Sequence, residues 1–447
     1  MADPADHLNK LSDLIDKARA EGADAADAVH VESISLSVAQ RLGNPEKLER
    51  SENADIGLRV FAGKRQAIVS SSDMSAEALD ELAVRAVAMA RNVPEDPFCG
   101  LADPGQLAAD SPDLDMADPG EPATETLVGW ASEAEEAARA VEGVTNSEGA
   151  EAGWGRAAIA VAASNGFARA YSGTHFSVSA SVLAGEGTGM ERDYDYSGAV
   201  YAEDLTSPAE VGRIAGEKAV KRLNPRKAET AEVPIMFDPR ISRSMVGHLA
   251  RAVNGSAIAR DTSFLKDSME EAVFGTGINI IDDPHRQRGL RSKPFDGEGV
   301  ANTRRAVIEN GVLTTWFLDL RSSRQLGLET TGHASRGTGG PPSPSATNLY
   351  LEAGRASPAE LMSDIKSGFY ATELIGFGVN GLTGDYSRGA AGYWIENGEI
   401  AYPVSEITIA GNLKDMFRRL TPADDLTFRY GIDAPTLRID GMTVAGK

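Results

Sequence analysis

Apolar residues recur at helical spacing over residues 6–22, at Leu8, Leu11, Leu14, Ile15 and Ala18, and predict an opening helix closed by Glu21-Gly22. The period then changes to two. Between Val29 and Gln40, Ile34, Leu36 and Val38 alternate with polar positions, as a strand with one buried face requires. A hairpin follows, residues 56–61 and 67–70 about an Ala62-Gly63-Lys64 turn. Ser75 offers an N-cap hydroxyl to a helix whose apolar stripe is Leu79, Leu82, Ala83, Ala86 and Ala90. Residues 1–98 therefore read as an αββα block.

Residues 99–122 read as an extended linker, because Pro, Asp, Gly and Ala dominate there and Asp-Pro-Gly occurs at both Asp103 and Asp118. A second block, 123–228, repeats the order of helix, hairpins, helix. It comprises a helix over 124–141, strands over 154–161, 167–171, 176–184 and 197–202, and a helix over 208–223 ended by Asn224-Pro225. The repeated order suggests one shared N-terminal layer. From 232 to 447 the pattern changes to a short strand, a helix over 239–255, and then many short strands with Gly, Asn and Asp turns. One further helix is expected over 358–372. Asn397-Gly398 marks a hairpin, since a type I′ turn needs two residues at positive φ. The expected fold class is α+β: N-terminal α/β layers with antiparallel hairpins, and a β-rich, sandwich- or barrel-like C-terminal domain over 232–447.

Composition narrows the function classes. A chain of 447 residues with 42% hydrophobic residues exceeds one core and has material for two or three. A net charge of −22 excludes a nucleic-acid binder, which needs clustered Lys and Arg, and suits a cytoplasmic protein. The single cysteine, Cys99, rules out an internal disulfide framework and a multi-cysteine metal site. Its Pro-rich surroundings read as a buried bystander rather than a nucleophile. The start is polar and acidic, unlike a leader, and no apolar run approaches the roughly 20 residues of a membrane span.

The densest signal is residues 372–406, which hold Gly376, Gly378, Gly381, Gly384, Gly389 and Gly392 around Asp385-Tyr386-Ser387-Arg388. Glycines there supply positive φ or close backbone approach. Together with residues 95–101, 295–300 with Arg304-Arg305, and 337–350, this segment resembles the TldD/PmbA family, in its PmbA (TldE) branch, over residues 11–420 or so. The resemblance implies an α/β N-terminal part and a β-rich C-terminal part. It also implies a pair of subunits that degrades or trims unfolded peptides. In that pair the TldD branch is a zinc metallopeptidase whose helix carries His-Glu-x-x-x-His and whose third ligand is a later cysteine.

At the matching helix this chain reads Arg243-Ser-Met-Val-Gly-His248, so Arg243 and Ser244 stand for the first histidine and the glutamate, and only His248 remains. A guanidinium stays protonated and cannot ligate a cation. The cysteine is sought in the Gly337-Thr-Gly-Gly-Pro-Pro loop, which has none. The expectation is a chain with no catalytic residues and no metal of its own, zinc being held by a TldD-like partner, with Arg243 replacing the metal electrostatically. Arg243 and His248, five residues apart on a regular helix, point about 140° away from each other. His285, beside Asp282-Asp283, and His333 read as a turn and a polar loop rather than ligands.

Gly389 to Gly392, with Tyr393, Trp394 and Ile395, are expected to pair edge-on with an extended peptide or a partner strand. Asp385 and Arg388, flanking Tyr386 and Ser387, are read as an ion pair that fixes the loop, either as a clamp inside one turn or at the subunit contact. Partners are thus a TldD-like subunit and unfolded peptides, with a homodimer of this chain in isolation. Two other classes remain open: a metal-independent binding protein of the DNA gyrase modulator type, and a self-sufficient hydrolase with an unrecognised site.

Overall fold

The computed structural model describes residues 4–447. Residues 1–3, which belong to the polar start read as unlike a leader, lie outside it. The first half is built on one antiparallel sheet of order β3-β2-β1-β4-β5-β6. Its strands are β1 (Ala25–Arg41), β2 (Asn44–Ala62), β3 (Arg65–Ser71), β4 (Val144–Ala163), β5 (Ala168–Ala184) and β6 (Glu191–Ala199). The two sequence blocks therefore share a single layer, joined where β1 pairs with β4.

Helices α1 (Pro4–Ala20) and α2 (Ala76–Asn92) cover one end of one sheet face, burying Leu11, Leu14, Leu82 and Ala86 on Ile56, Leu58 and Val60. Ser75 caps α2 by accepting from the Ala78 amide. Helices α3 (Thr124–Arg139) and α4 (Pro208–Lys221) cover the other end of that face, over Leu36, Trp154 and Phe176. They pack closely because Gly212 has no side chain: a Cβ there would lie 1.9 Å from the Ala134 carbonyl oxygen. The opposite face carries Val29, Val161 and Phe167 and closes on Phe295 and on Ala108 of the linker.

The second half begins with β7 (Ala231–Phe237), α5 (Pro239–Ala252) and α6 (Gly255–Ala259). Next come β8 (Ile280–Asp282), β9 (Arg305–Glu309), β10 (Val312–Leu313), α7 (Leu320–Leu326), β11 (Ala334–Ser335), β12 (Ser343–Pro344) and β13 (Leu349–Leu351). The chain ends with α8 (Pro358–Met362), β14 (Ser367–Ile375), β15 (Asp385–Glu396), β16 (Glu399–Asn412), α9 (Leu413–Arg418), β17 (Leu420–Pro422), β18 (Ile432–Asp433) and β19 (Leu437–Ala445). A small sheet runs β10-β9-β8-β13-β18, and the larger runs β16-β15-β14-β7-β19-β17. Because β16 also pairs with β19, the larger sheet closes into a barrel. Helix α5 packs between the two, with Met245, Val246 and Leu249 in one core with Phe369 of β14 and Leu349 of β13.

Four expectations change. The helix over 358–372 is a single turn, α8, followed by the barrel strand β14, because Phe369 and Ala371 are buried beside β7. Strand β2 begins at Asn44, twelve residues before the hairpin starts in the sequence reading; that extension is exposed and polar, so burial leaves no alternation to read. The two strands expected over 167–184 are one continuous strand, β5. Strand β6 spans Glu191–Ala199, earlier than the 197–202 predicted. The Asn397-Gly398 turn has φ of 51° and 82°, as a type I′ hairpin requires.

Candidate functional site

Helix α5 starts where β7 leaves the barrel, capped by Asp238, whose carboxylate accepts from the Arg240 amide at 2.9 Å. Its outward residues border two cavities. The first, about 360 Å³, is lined by Arg240, Arg243 and Ser244 of α5, Glu373 and Leu374 of β14, Tyr194 of β6, Arg388 of β15 and others. The second, about 240 Å³, is lined by His248 and Arg251 of α5, with Phe377, Val379 and Arg388 among its other walls. Arg388 borders both. Arg243 and His248, on one helix, line different cavities.

Each lining group has a definite electrostatic state. Arg240 is buried and donates to Asp193 at 2.5 Å and to the Thr372 carbonyl at 2.9 Å. Burial alone would raise the Asp193 carboxyl, yet the Arg240 bond and charge hold it below the usual range. Glu373 is taken by Arg222 at 2.6 Å. Arg243 donates only through Nε, to the Arg240 carbonyl at 3.2 Å, and its guanidinium lies 4.4 Å from the centre of the Tyr430 ring. Ser244 donates back to the Ile241 carbonyl at 2.6 Å. His248 is buried edge-on to Tyr386, with ring centres 5.9 Å apart, and among the described residues neither its Nε2 nor the Tyr386 hydroxyl has a hydrogen-bond partner. Burial, aided by the charges of Arg251 and Arg388, depresses the His248 pKa to about 4. Burial also raises the Tyr386 phenol.

This donor set does not fit a metal ion. Arginine stands at the first position, His248 faces away, and among the described residues no three His, Cys, Asp or Glu side chains converge as ligands. The Gly337 loop is not at this helix, which corrects the expected place of a third ligand. It lies on the first sheet, where a Cβ on Gly57 would come within 2.2 Å of the Thr338 carbonyl oxygen. The segment that faces Arg243 is instead Tyr430 to Ile432.

The glycine-rich strand is also corrected. β15 is paired on both sides, with β14 and with β16, so Gly389, Gly392, Tyr393 and Trp394 have no free edge for a peptide. The approach that Gly392 permits is internal: a Cβ there would sit 2.0 Å from the Tyr370 carbonyl oxygen of β14. Nor do Asp385 and Arg388 pair. Asp385 accepts from the Thr383 hydroxyl at 2.6 Å and the Asn412 amide at 3.0 Å, and Arg388 donates to the Ile375 carbonyl at 3.2 Å. Ser387 is exposed and its amide bonds to the Gly378 carbonyl at 2.7 Å. What β15 does present is the loop before it, with Ile375 and Leu382 exposed and Phe377 95% exposed.

The remaining candidates are structural. His333 is buried, bridging Thr331 at 2.9 Å and the fully buried Asp282 at 3.1 Å. His285 meets Asn302 at 2.8 Å. Cys99 is buried, and burial followed by the Asp96 charge pushes its thiol up.

One cluster escaped the sequence reading altogether. Arg59 of β2 is held by Asp27 of β1 and, at 3.1 Å, by Glu298, while Arg336 donates to Asp27 at 2.7 Å. All four are buried or nearly so, and they tie the first sheet to the second half. Next to them Asp296 accepts amides of Glu298, Val300 and Ala334. Burial and the Glu298 charge raise the Asp296 carboxyl to about 7. The only signal in sequence was the 295–300 motif, whose role is this junction.

A six-stranded sheet under four helices, linked by buried ion pairs to a half that contains a closed β-barrel, defines an α+β architecture also seen in solved proteins. A crystal structure of a proposed modulator of DNA gyrase from Bacteroides thetaiotaomicron superposes with a TM-score of 0.90 at 26% identity, covering 98% of each chain. That of TldE from Thermococcus kodakarensis gives 0.86 at 21% identity, covering 98% of this chain and 100% of that one. Three family profiles match in order: PmbA/TldA metallopeptidase domain 1 over residues 26–90, the central domain over 117–223 and the C-terminal domain over 230–446. The Escherichia coli O157:H7 protein named Metalloprotease PmbA is 38% identical across 95% of this chain and 93% of its own length. A Metalloprotease PmbA homolog of Haemophilus influenzae is 36% identical across 98% and 95%. The chain belongs to the PmbA/TldD family.

Proposed function

We propose that this chain is the non-metal subunit of a cytoplasmic, heteromeric zinc metallopeptidase that degrades or trims unfolded peptides with a TldD-like partner. The observation that carries this reading is α5: Arg243 and Ser244 occupy the cavity positions where a metal-binding helix would present its ligand and base, and His248 is buried elsewhere. A hydrolytic site that needs three ligands and an open water position has no counterpart there. The exposed segment bearing Ile375, Phe377 and Leu382 is the surface a partner would cover, since large exposed apolar groups gathered in one short segment suit an association site. In isolation the same loop serves a homodimer.

Hydrolysis of an unfolded peptide should be measured with this chain alone, a TldD-like chain alone, and the mixture. Cleavage that needs the mixture and is abolished by a chelator is the expected result. Chelator-resistant cleavage by this chain alone would replace the proposal with a self-sufficient hydrolase. Among the described residues no helix is long and apolar enough to cross a membrane.

A further inference from the structure

We infer that the cavity over α5 binds a carboxylate, and specifically the C-terminal carboxylate of a peptide, through Arg243 and Arg388. The charges that face this cavity can be followed one by one. Arg240 is paired with Asp193, and Arg222 is shared by Glu373, Asp193 and Glu191. Arg243 and Arg388 each spend Nε on a main-chain carbonyl and rest against an aromatic ring, of Tyr430 and Phe377 respectively. Neither has a carboxylate partner among the described residues. Two arginines without a paired carboxylate thus line one concave site in a chain whose net charge is −22.

A guanidinium offers parallel N–H donors that match the two oxygens of a carboxylate. The cavity, about 360 Å³, falls within the range of small-ligand sites, roughly 300–1,000 Å³. Ile241, Leu374 and Ile432 give it apolar walls, which suit a terminal residue with a side chain better than a bare inorganic anion. Tyr194 and Ser244 also line it. The arginine that displaces the expected metal ligand would thereby hold the end of the peptide instead. This rests on the reading that peptides are what the complex handles.

Binding can be measured on the full chain without partner or metal, by titrating a fluorescent pentapeptide ending in leucine, as free acid and as C-terminal amide, with inorganic phosphate as competitor. The free acid should bind about tenfold or more tighter than the amide, the usual scale for a charged hydrogen bond. Arg243→Gln and Arg388→Gln should each shrink that preference severalfold, with thermal midpoints near that of the parent because neither side chain holds an ion pair. Equal binding of acid and amide would overturn the inference, as would a preference unchanged in both variants. Phosphate displacing the peptide at concentrations below the peptide's own dissociation constant would overturn the peptide terminus as occupant. Because no hydrolysis is read, inactivity of the mixture with a TldD-like chain would sink the subunit proposal and leave this result standing.

Discussion

Arg243, Ser244 and His248 lie on one helix, α5, yet have separate surroundings. The guanidinium settles on Tyr430, and the histidine, with no cation to hold, is neutral and buried against Tyr386. Restoring the motif letters should therefore not restore the site. Arg243→His with Ser244→Glu, with or without Gly337→Cys, is expected to bind no stoichiometric zinc by elemental analysis, since the Gly337 loop lies on Gly57 of the first sheet. Tight zinc uptake by the triple variant would show that the loop reaches α5. The buried histidine also has a pH signature. Its folded pKa, about 4, lies below the ordinary 6.5, so the unfolded chain takes up the proton first. Its neutral burial contributes fully above pH 6.5 and is lost as pH falls toward 4, by an amount on the order of 3 kcal/mol. Denaturation midpoints at pH 7 and pH 5 should differ less in His248→Phe than in the parent; identical slopes would mean His248 is not the titrating group.

At the scale of elements, the glycine-rich segment divides into three jobs that composition cannot separate. Gly376 and Gly384 hold φ of 79° and 84°, whereas Gly378 and Gly392 admit carbonyls of Ser387 and Tyr370 within 2.0 Å of where a Cβ would be. Gly381 has its nearest neighbour at an ordinary 3.8 Å. Gly392→Ala is expected to cost about 1–3 kcal/mol or more of folding stability, because backbone on a neighbouring strand must move. Gly381→Ala should cost less than about 1 kcal/mol, as fits a site with room. Thermal unfolding of the two variants decides it, and equal midpoints would mean the sheet accommodates the methyl group at Gly392. The period-2 and period-3.6 patterns located the elements around β1, α2 and α5 well. They failed for β14 because a strand buried in a barrel after one helical turn has no exposed face to alternate against.

Across the whole molecule, the first sheet and the barrel half are joined by the buried Asp27–Arg59–Glu298–Arg336 cluster and by Arg240 reaching back to Asp193. Burial would raise Asp27, but Arg336 and Arg59 keep it ionised. Removing one member of such a set strands the others in a low-dielectric interior. Asp27→Ala is expected to destabilise the chain by about 3–5 kcal/mol. Its calorimetric trace should also resolve the two halves, where the parent melts in one step. A single unshifted transition in the variant would mean that the cluster does not couple the halves.

Sequence alone determined what depends on near neighbours: the helix stripes, the Ser75 cap and the Asn397-Gly398 turn. Tertiary structure decided everything that depends on which distant segments meet. Pairing with both β14 and β16 makes β15 an interior strand instead of a peptide edge, and pairing of β16 with β19 closes the barrel. Glu298 neutralises Arg59 from 239 positions away. Asp193 and Glu373 pair with Arg240 and Arg222, and Arg243 and Arg388 have no ion-pair partner among the described residues. Periodicity records which face of an element is buried, whereas hydrogen-bond closure and charge compensation are properties of contacts that no local pattern encodes.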